Sequence, residues 1–142
     1  MKTVVVNAKS IKHGWIVVDA TNQMIGRLAS KVANILIGKG KVAYSPNQDH
    51  GDHVIVINAE KVRLSGKKPE TKQYFRHSRH PGGGKFRSFK EQMVKDPAEV
   101  VRHAVYGMVP KNALGRTIYA KLHVYAGADH PHKAQSPETV SL

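Results

Sequence analysis

Hydrophobic and polar positions alternate along the chain in two distinct periods, which mark out its elements. "GWIVVDA" at residues 14–20 is a short apolar run rich in β-branched residues, which predicts a buried strand. In the following "TNQMIGRLASKVANILIGKGK", Ile25, Leu28, Ala29, Val32 and Leu36 recur at helical spacing, so one face of a helix packs inward. Gly38 suits the left-handed position that ends such a helix, and Lys39 and Lys41 follow it. "HVIVINA" at residues 53–59 predicts a second buried strand. Strand, helix and strand together predict a βαβ unit with parallel pairing and a right-handed crossover.

Two more helices are marked by their caps. In "SFKE", Ser88 stands three residues before Glu91, the spacing of a capping box. In "DPAE", Asp96 is placed as N-cap, Pro97 as the first helical residue and Glu99 at the third. That helix is expected to run through Val100, Val101, Ala104, Val105 and Met108 and to stop before Pro110. Asn112 is placed to cap a further helix carrying Leu114, Ile118 and Leu122 on one side, and "LHVYA" predicts a last short strand. Residues 107–112 then form a tight corner between two helices, with Lys111 and Arg116 near a helix N-terminus. Cations there suit a phosphate; solvated caps are the alternative. Residues 61–90 follow neither period. Gly66, Pro69 and "PGGGK" at residues 81–85 are turn chemistry, so this span is expected to be a partly irregular excursion. The 142 residues suit one domain, with residues 1–13 and 127–142 as extended arms.

Charge changes the picture most in that central span. The chain carries 23 Lys and Arg against 10 acids, a formal net charge of +13. Ten of those cations lie between Lys61 and Lys90, where Glu70 is the only acid, leaving +9 in 30 residues. A merely soluble face intersperses both signs. Here the cations are interleaved instead with Tyr74, Phe75, Phe86 and Phe89, some of which must be core. Cations, aromatics and glycines together serve RNA recognition through phosphate contact, stacking and close approach. The residues expected to contact phosphate are Lys39, Lys41, Lys67, Lys68, Arg76, Arg79, Lys85, Arg87, Lys111 and Arg116. The chain has no cysteine, which excludes disulfides and thiolate metal sites and fits a reducing compartment. Its first residues lack the apolar region of a signal peptide, and no apolar run reaches the length of a membrane span.

Catalytic chemistry finds less support. Nine histidines include the pairs His50/His53, His77/His80 and His130/His132. Zinc wants three or four ligands on a rigid frame, so no metal or other cofactor is expected. "NQDHGDH" places Asp49, His50, Asp52 and His53 together, and an acid–base or metal-dependent nuclease built on them is one alternative function. Turn residues before a strand are the simpler reading. "GGGK" at residues 82–85 lacks the first glycine of a phosphate loop, because Arg79 occupies that position, and Phe86 follows the lysine. A basic DNA-binding architectural protein is a second alternative, but no groove-reading helix is evident.

Several stretches carry a resemblance that runs nearly end to end: "WIVVDA" with "IGRLAS", "DHGDHVIVINAEKVRLSGKK", "HSRHPGG", "GMVPKNALGR", and "KLHVYAG" before "HPH". On these residues the chain resembles the bacterial large-subunit ribosomal protein L13 family. The resemblance implies a three-layer α/β/α fold around a small, mainly parallel four-stranded sheet, with basic loops and terminal arms. It also implies a non-enzymatic structural constituent of the large ribosomal subunit that binds 23S rRNA, supports early assembly and touches neighbouring large-subunit proteins in the cytoplasm, with no membrane or small-molecule substrate. The sequence departs from the family's usual pattern at Tyr106, Asn47, Arg79–His80 and Gly84.

Overall fold

A computed structural model describes residue 7 and residues 10–140 of the chain. The expected N-terminal arm therefore lies largely outside the described residues. Strand β1 (Trp15–Asp19) leads into helix α1 (Ile25–Ile37) and then strand β2 (His53–Ile57), and β1 pairs with β2 in parallel, Val17 opposite Ile55. The βαβ pairing thus follows the sequence pattern. Gly38 ends α1 in the left-handed conformation at φ 82°, its amide bonded to the carbonyls of Asn34 and Ile35.

Past a short α2 (Lys68–Thr71), residues 61–90 are more regular than expected. Strands β3 (Gln73–His77) and β4 (Gly84–Ser88) form a separate antiparallel ribbon. Tyr74 and Phe75 are adjacent in β3 and Phe86 sits between Lys85 and Arg87 in β4, so no period-two apolar face shows in the sequence, and pairing across the glycine-rich turn supplies the order. Helix α3 (Phe89–Lys95) starts at the Ser88–Glu91 capping box, and α4 (Pro97–Met108) at Asp96, whose carboxylate accepts from the Glu99 amide. Helix α5 (Ala113–Ala120) is capped by Asn112. Leu122 is not on α5. The helix stops at Ala120, and Leu122 opens strand β5 (Leu122–Val124), buried through its pairing with Val54 on β2.

The main sheet has the order β5-β2-β1-β6 and is parallel throughout. Its fourth strand, β6 (Glu138–Val140), comes from the stretch expected to be a C-terminal arm. One face of the sheet presents Val18, Val54, Val56 and Val124 to Leu28, Val32 and Leu36 of α1, Val101 and Val105 of α4, and Ile118 of α5. Leu28 is only 1% exposed, and burying such a side chain is worth about 1.5–3 kcal/mol. The other face carries Trp15, whose ring stacks on His53 with centroids 4.2 Å apart and on His123 at 5.4 Å. His132, from the 3-10 turn His132–Gln135, completes the stack at 5.0 Å from Trp15 and accepts or donates a hydrogen bond of 2.8 Å with the Tyr125 hydroxyl. That turn covers part of this face.

Candidate nucleic-acid interface

The ribbon is anchored at its base and exposed at its end. Tyr74 and Leu64 pack against Ile25, Phe89 and Val100, and the Phe89 amide donates to the Lys72 carbonyl at 3.0 Å. A two-stranded ribbon is marginal alone, so this small cluster holds it. The cross-strand pairs are Tyr74–Arg87, Phe75–Phe86 and Arg76–Lys85. Opposed residues share a face, which sorts the ribbon's three aromatics, while Phe89 begins α3. Tyr74 and Phe89 turn into the protein, whereas Phe75 and Phe86 remain 60% and 70% exposed with ring centroids 5.0 Å apart. Arg87 donates to the Gln92 side chain at 2.9 Å. Arg76 and Lys85 are exposed and directly opposed, an arrangement of like charges that disfavours the ribbon until an anion neutralises it. At the tip Arg79 has a left-handed backbone, φ 69°, and its amide donates to His77 Nδ1 at 2.9 Å.

The other predicted cations divide into two groups. Lys39, Lys67, Lys68 and Arg116 are exposed. Lys41, half-buried, and Lys111, exposed, are held by partners within the chain. The Lys41 ammonium donates to Asp52 at 2.6 Å and to the Lys12 carbonyl at 3.1 Å. Lys111 lies 3.7 Å above the Tyr106 ring and donates to the Tyr106 and Val109 carbonyls, closing the C-terminus of α4 where a cation is favoured. The structure thus does not gather the ten predicted cations into one patch. Arg76, Arg79, Lys85 and Arg87 share the ribbon, while Lys39, Lys111 and Arg116 belong to other elements.

The loop of Asp49, His50, Asp52 and His53 has a structural assignment. Asp49 pairs with the buried Lys121, whose ammonium also donates to the Gly51 carbonyl at 2.8 Å. Asp52 accepts from the Gly14 amide at 2.7 Å as well as from Lys41. His50 is buried, and His53 lies flat on Trp15. Burial, reinforced by the Lys121 charge, holds the His53 imidazole below the usual histidine range. His123 is lowered for the same first reason, then by His132 and His53. Both acids of the loop are engaged by lysines: Asp49 ties the loop to Lys121 beside the start of β5 and Asp52 ties it to Lys41 just after α1, so the two do not form a free acid–base pair. Among the described residues no three His, Asp or Glu gather so as to hold a metal, and no helix is long and apolar enough to cross a membrane.

With this geometry in place, the relatives become informative. The family model described as ribosomal protein L13 matches residues 13–131. A protein named large ribosomal subunit protein uL13 from Roseiflexus sp. (strain RS-1) is 54% identical over 97% of this chain and 94% of its own length. Proteins of the same name from Picosynechococcus sp. and Chlorobium limicola are each 50% identical, over 100% and 96% of this chain and 94% and 91% of their own lengths. The chain belongs to the ribosomal protein L13 family.

In this L13 family member the stretch "GMVPKNALGR" has a physical basis. A Cβ on Gly115 would overlap the Pro110 carbonyl oxygen and crowd the Asn112 side chain. Only glycine lets α5 approach the corner this closely, while Asn112 Oδ1 accepts from the Gly115 amide at 2.7 Å. Tyr106 supplies the ring beneath Lys111 and packs edge-on against Tyr119 at 5.2 Å. Sequence reasoning missed Arg27, Arg63 and Lys72 as candidate phosphate contacts. They meet with Lys68 around one cleft, brought together by a parallel bridge between Met24 and Arg63 that local sequence spacing does not announce.

Proposed function

We propose that this chain is a non-enzymatic structural constituent of the large ribosomal subunit that binds 23S rRNA and supports early subunit assembly in the cytoplasm. The observation that carries this reading is the β3–β4 ribbon. Its cations have no carboxylate partner within 4 Å among the described residues, and its exposed Phe75–Phe86 pair offers a surface for base stacking. Membership of the L13 family, whose relatives carry the name of a large-subunit protein, supports the same assignment. Binding in this reading is charge neutralisation combined with fit: the ribbon's Arg76, Arg79, Lys85 and Arg87 displace counterions from phosphates, with Lys39, Lys67, Lys68 and Arg116 adding contacts from the helix ends. Lys41 and Lys111 serve these contacts indirectly, by fixing the loop and the corner that carry them. The remaining surface meets neighbouring large-subunit proteins.

The test is sedimentation of the tagged protein with ribosomal subunits through a gradient at moderate salt. Co-migration with the large subunit, and depletion of large subunits when the protein is withdrawn, is the expected result. A protein that stays at the top of the gradient, or that follows the small subunit, would refute the assignment.

A further inference from the structure

The cleft between the start of α1, the Arg63–Lys72 segment and α4 has a composition unlike the rest of the surface. Its volume is about 680 Å³, within the range of about 300–1,000 Å³ typical of ligand sites. Arg27, Arg63, Lys68 and Lys72 line it, and no acidic residue does. None of the four is within ion-pairing distance of a carboxylate among the described residues. Four cations without a carboxylate partner, Lys72 resting 5.3 Å over the Tyr74 ring, repel one another around the concavity and focus a positive potential into it.

The same cleft is apolar between its cations. Met24, Leu64 and Met108 contribute to its lining, and Met24 and Met108 are 40% and 43% exposed. His103 adds an imidazole, itself braced edge-on against Tyr74 at 5.4 Å. A simple anion would use the cations and leave the thioethers bare. An RNA duplex presents a convex, charged backbone that cannot enter a concavity of this size. An unpaired nucleotide offers both requirements at once: a flat base for the methionines and the imidazole, and a phosphate on either side for the arginines and lysines. The walls are also stiff. Arg63 donates its amide to the Gln23 carbonyl at 2.9 Å and accepts from the Ile25 amide at 3.0 Å, so little ordering is needed on binding.

We infer that this cleft receives an unstacked nucleotide of single-stranded RNA, with Arg27, Arg63, Lys68 and Lys72 on its phosphates and Met24 and Met108 against its base. The inference rests on the rRNA-binding reading and gives it a place where an extruded base is held.

The experiment compares wild type, Arg27→Gln/Arg63→Gln and a charge-matched control, Lys31→Gln/Lys133→Gln, whose lysines are exposed and outside the cleft. Each is measured by fluorescence anisotropy against a single-stranded RNA decamer, a blunt duplex of the same length, and a 23S rRNA fragment. Amide shifts are followed on the decamer titration. The expected result is a loss of about tenfold or more in decamer affinity for the cleft variant, at most twofold for the control, little change for the duplex, and saturable wild-type shifts at Gly26, Leu64 and Gly107. Melting temperatures should match, because both arginines are exposed. If wild type binds the rRNA fragment but the cleft variant loses no more decamer affinity than the control, the cleft inference is wrong and the rRNA reading stands. If the duplex competes for the cleft as well as the single strand does, the cleft inference is wrong in its choice of ligand. If wild type does not bind the rRNA fragment, both fall.

Discussion

Lysines and arginines do opposite work in two parts of this molecule. In the seam formed by the loop that leads into β2, Lys121 and Lys41 are matched with Asp49 and Asp52, and each ammonium also donates to a backbone carbonyl. In the span from Lys61 to Lys90, ten cations face a single acid, and none forms an ion pair among the described residues. The seam is complete as folded. The basic span carries a charge imbalance that folding leaves unresolved, which is the imbalance the proposed rRNA contact would neutralise. Charge alone does not reveal which role a lysine has; the presence of a fixed anion within reach does.

The largest expected effect lies in the seam. Asp49→Ala leaves the Lys121 ammonium buried without its partner, and breaking one side of such a pair costs about 3 kcal/mol or more. The pair need not be a large net stabiliser for this to hold, because the cost is that of the stranded charge. Chemical denaturation should show the midpoint falling steeply; an unchanged midpoint would mean that Lys121 reaches solvent and that the seam is no different from the basic span. Next comes the corner that orients α5. Gly115→Ala forces a methyl group onto the Pro110 carbonyl and should destabilise by about 1–3 kcal/mol, with Gly107→Ala, where a Cβ meets nothing within 4 Å, as the mild control. Equal effects of the two would remove the close approach as the reason for that glycine.

A smaller effect comes with pH. The folded-state values of His53 and His123 are depressed, burial first, so the unfolded chain takes up protons more readily. Their contribution is complete above the unfolded value near 6.5 and is lost as pH falls below it towards the folded values. Melting temperature should therefore decline from pH 7.5 to 5.5, with Trp15 fluorescence reporting the stack. Asp19, lowered chiefly by the Thr21 hydroxyl and then by Asn58, loses its contribution only below the ordinary carboxylate value near 4, outside that interval. A flat profile between 7.5 and 5.5 would show that protonation leaves the stacked face undisturbed.

How legible each region was follows from the range of the interactions. Caps are local, so Ser88–Glu91, Asp96–Pro97, Asn112 and the Gly38 terminus were all readable from a few residues. The Trp15 stack draws His53, His123 and His132 from distant positions: parallel pairing sets His53 opposite Trp15 and His123 on the next strand, and the 3-10 turn brings His132 over them. Nothing in the spacing of the histidines announces this. Strand β6 is three residues with little apolar content, so only the unpaired edge of β1 explains it. Leu122 continued a helical spacing by coincidence, because β5 starts where the next turn of α5 would have been. Among the candidate site residues, the concentration of charge was visible, but its sorting was not. Whether Lys41 meets Asp52, or Arg63 meets Arg27 across a cleft, depends on contacts between elements.

The central claim is that the ribbon's cations serve binding and not folding, and the salt dependence of rRNA affinity tests it most directly. Arg76 and Lys85 face each other with no anion between them, so Arg76→Gln/Lys85→Gln should leave stability within about 0.5 kcal/mol of wild type or raise it slightly. Against a 23S rRNA fragment, log affinity plotted against log salt should flatten by about 1.4–1.8, because two phosphates are no longer neutralised. A slope equal to wild type, accompanied by a clear fall in melting temperature, would contradict the claim and place these cations with the lysines of the seam.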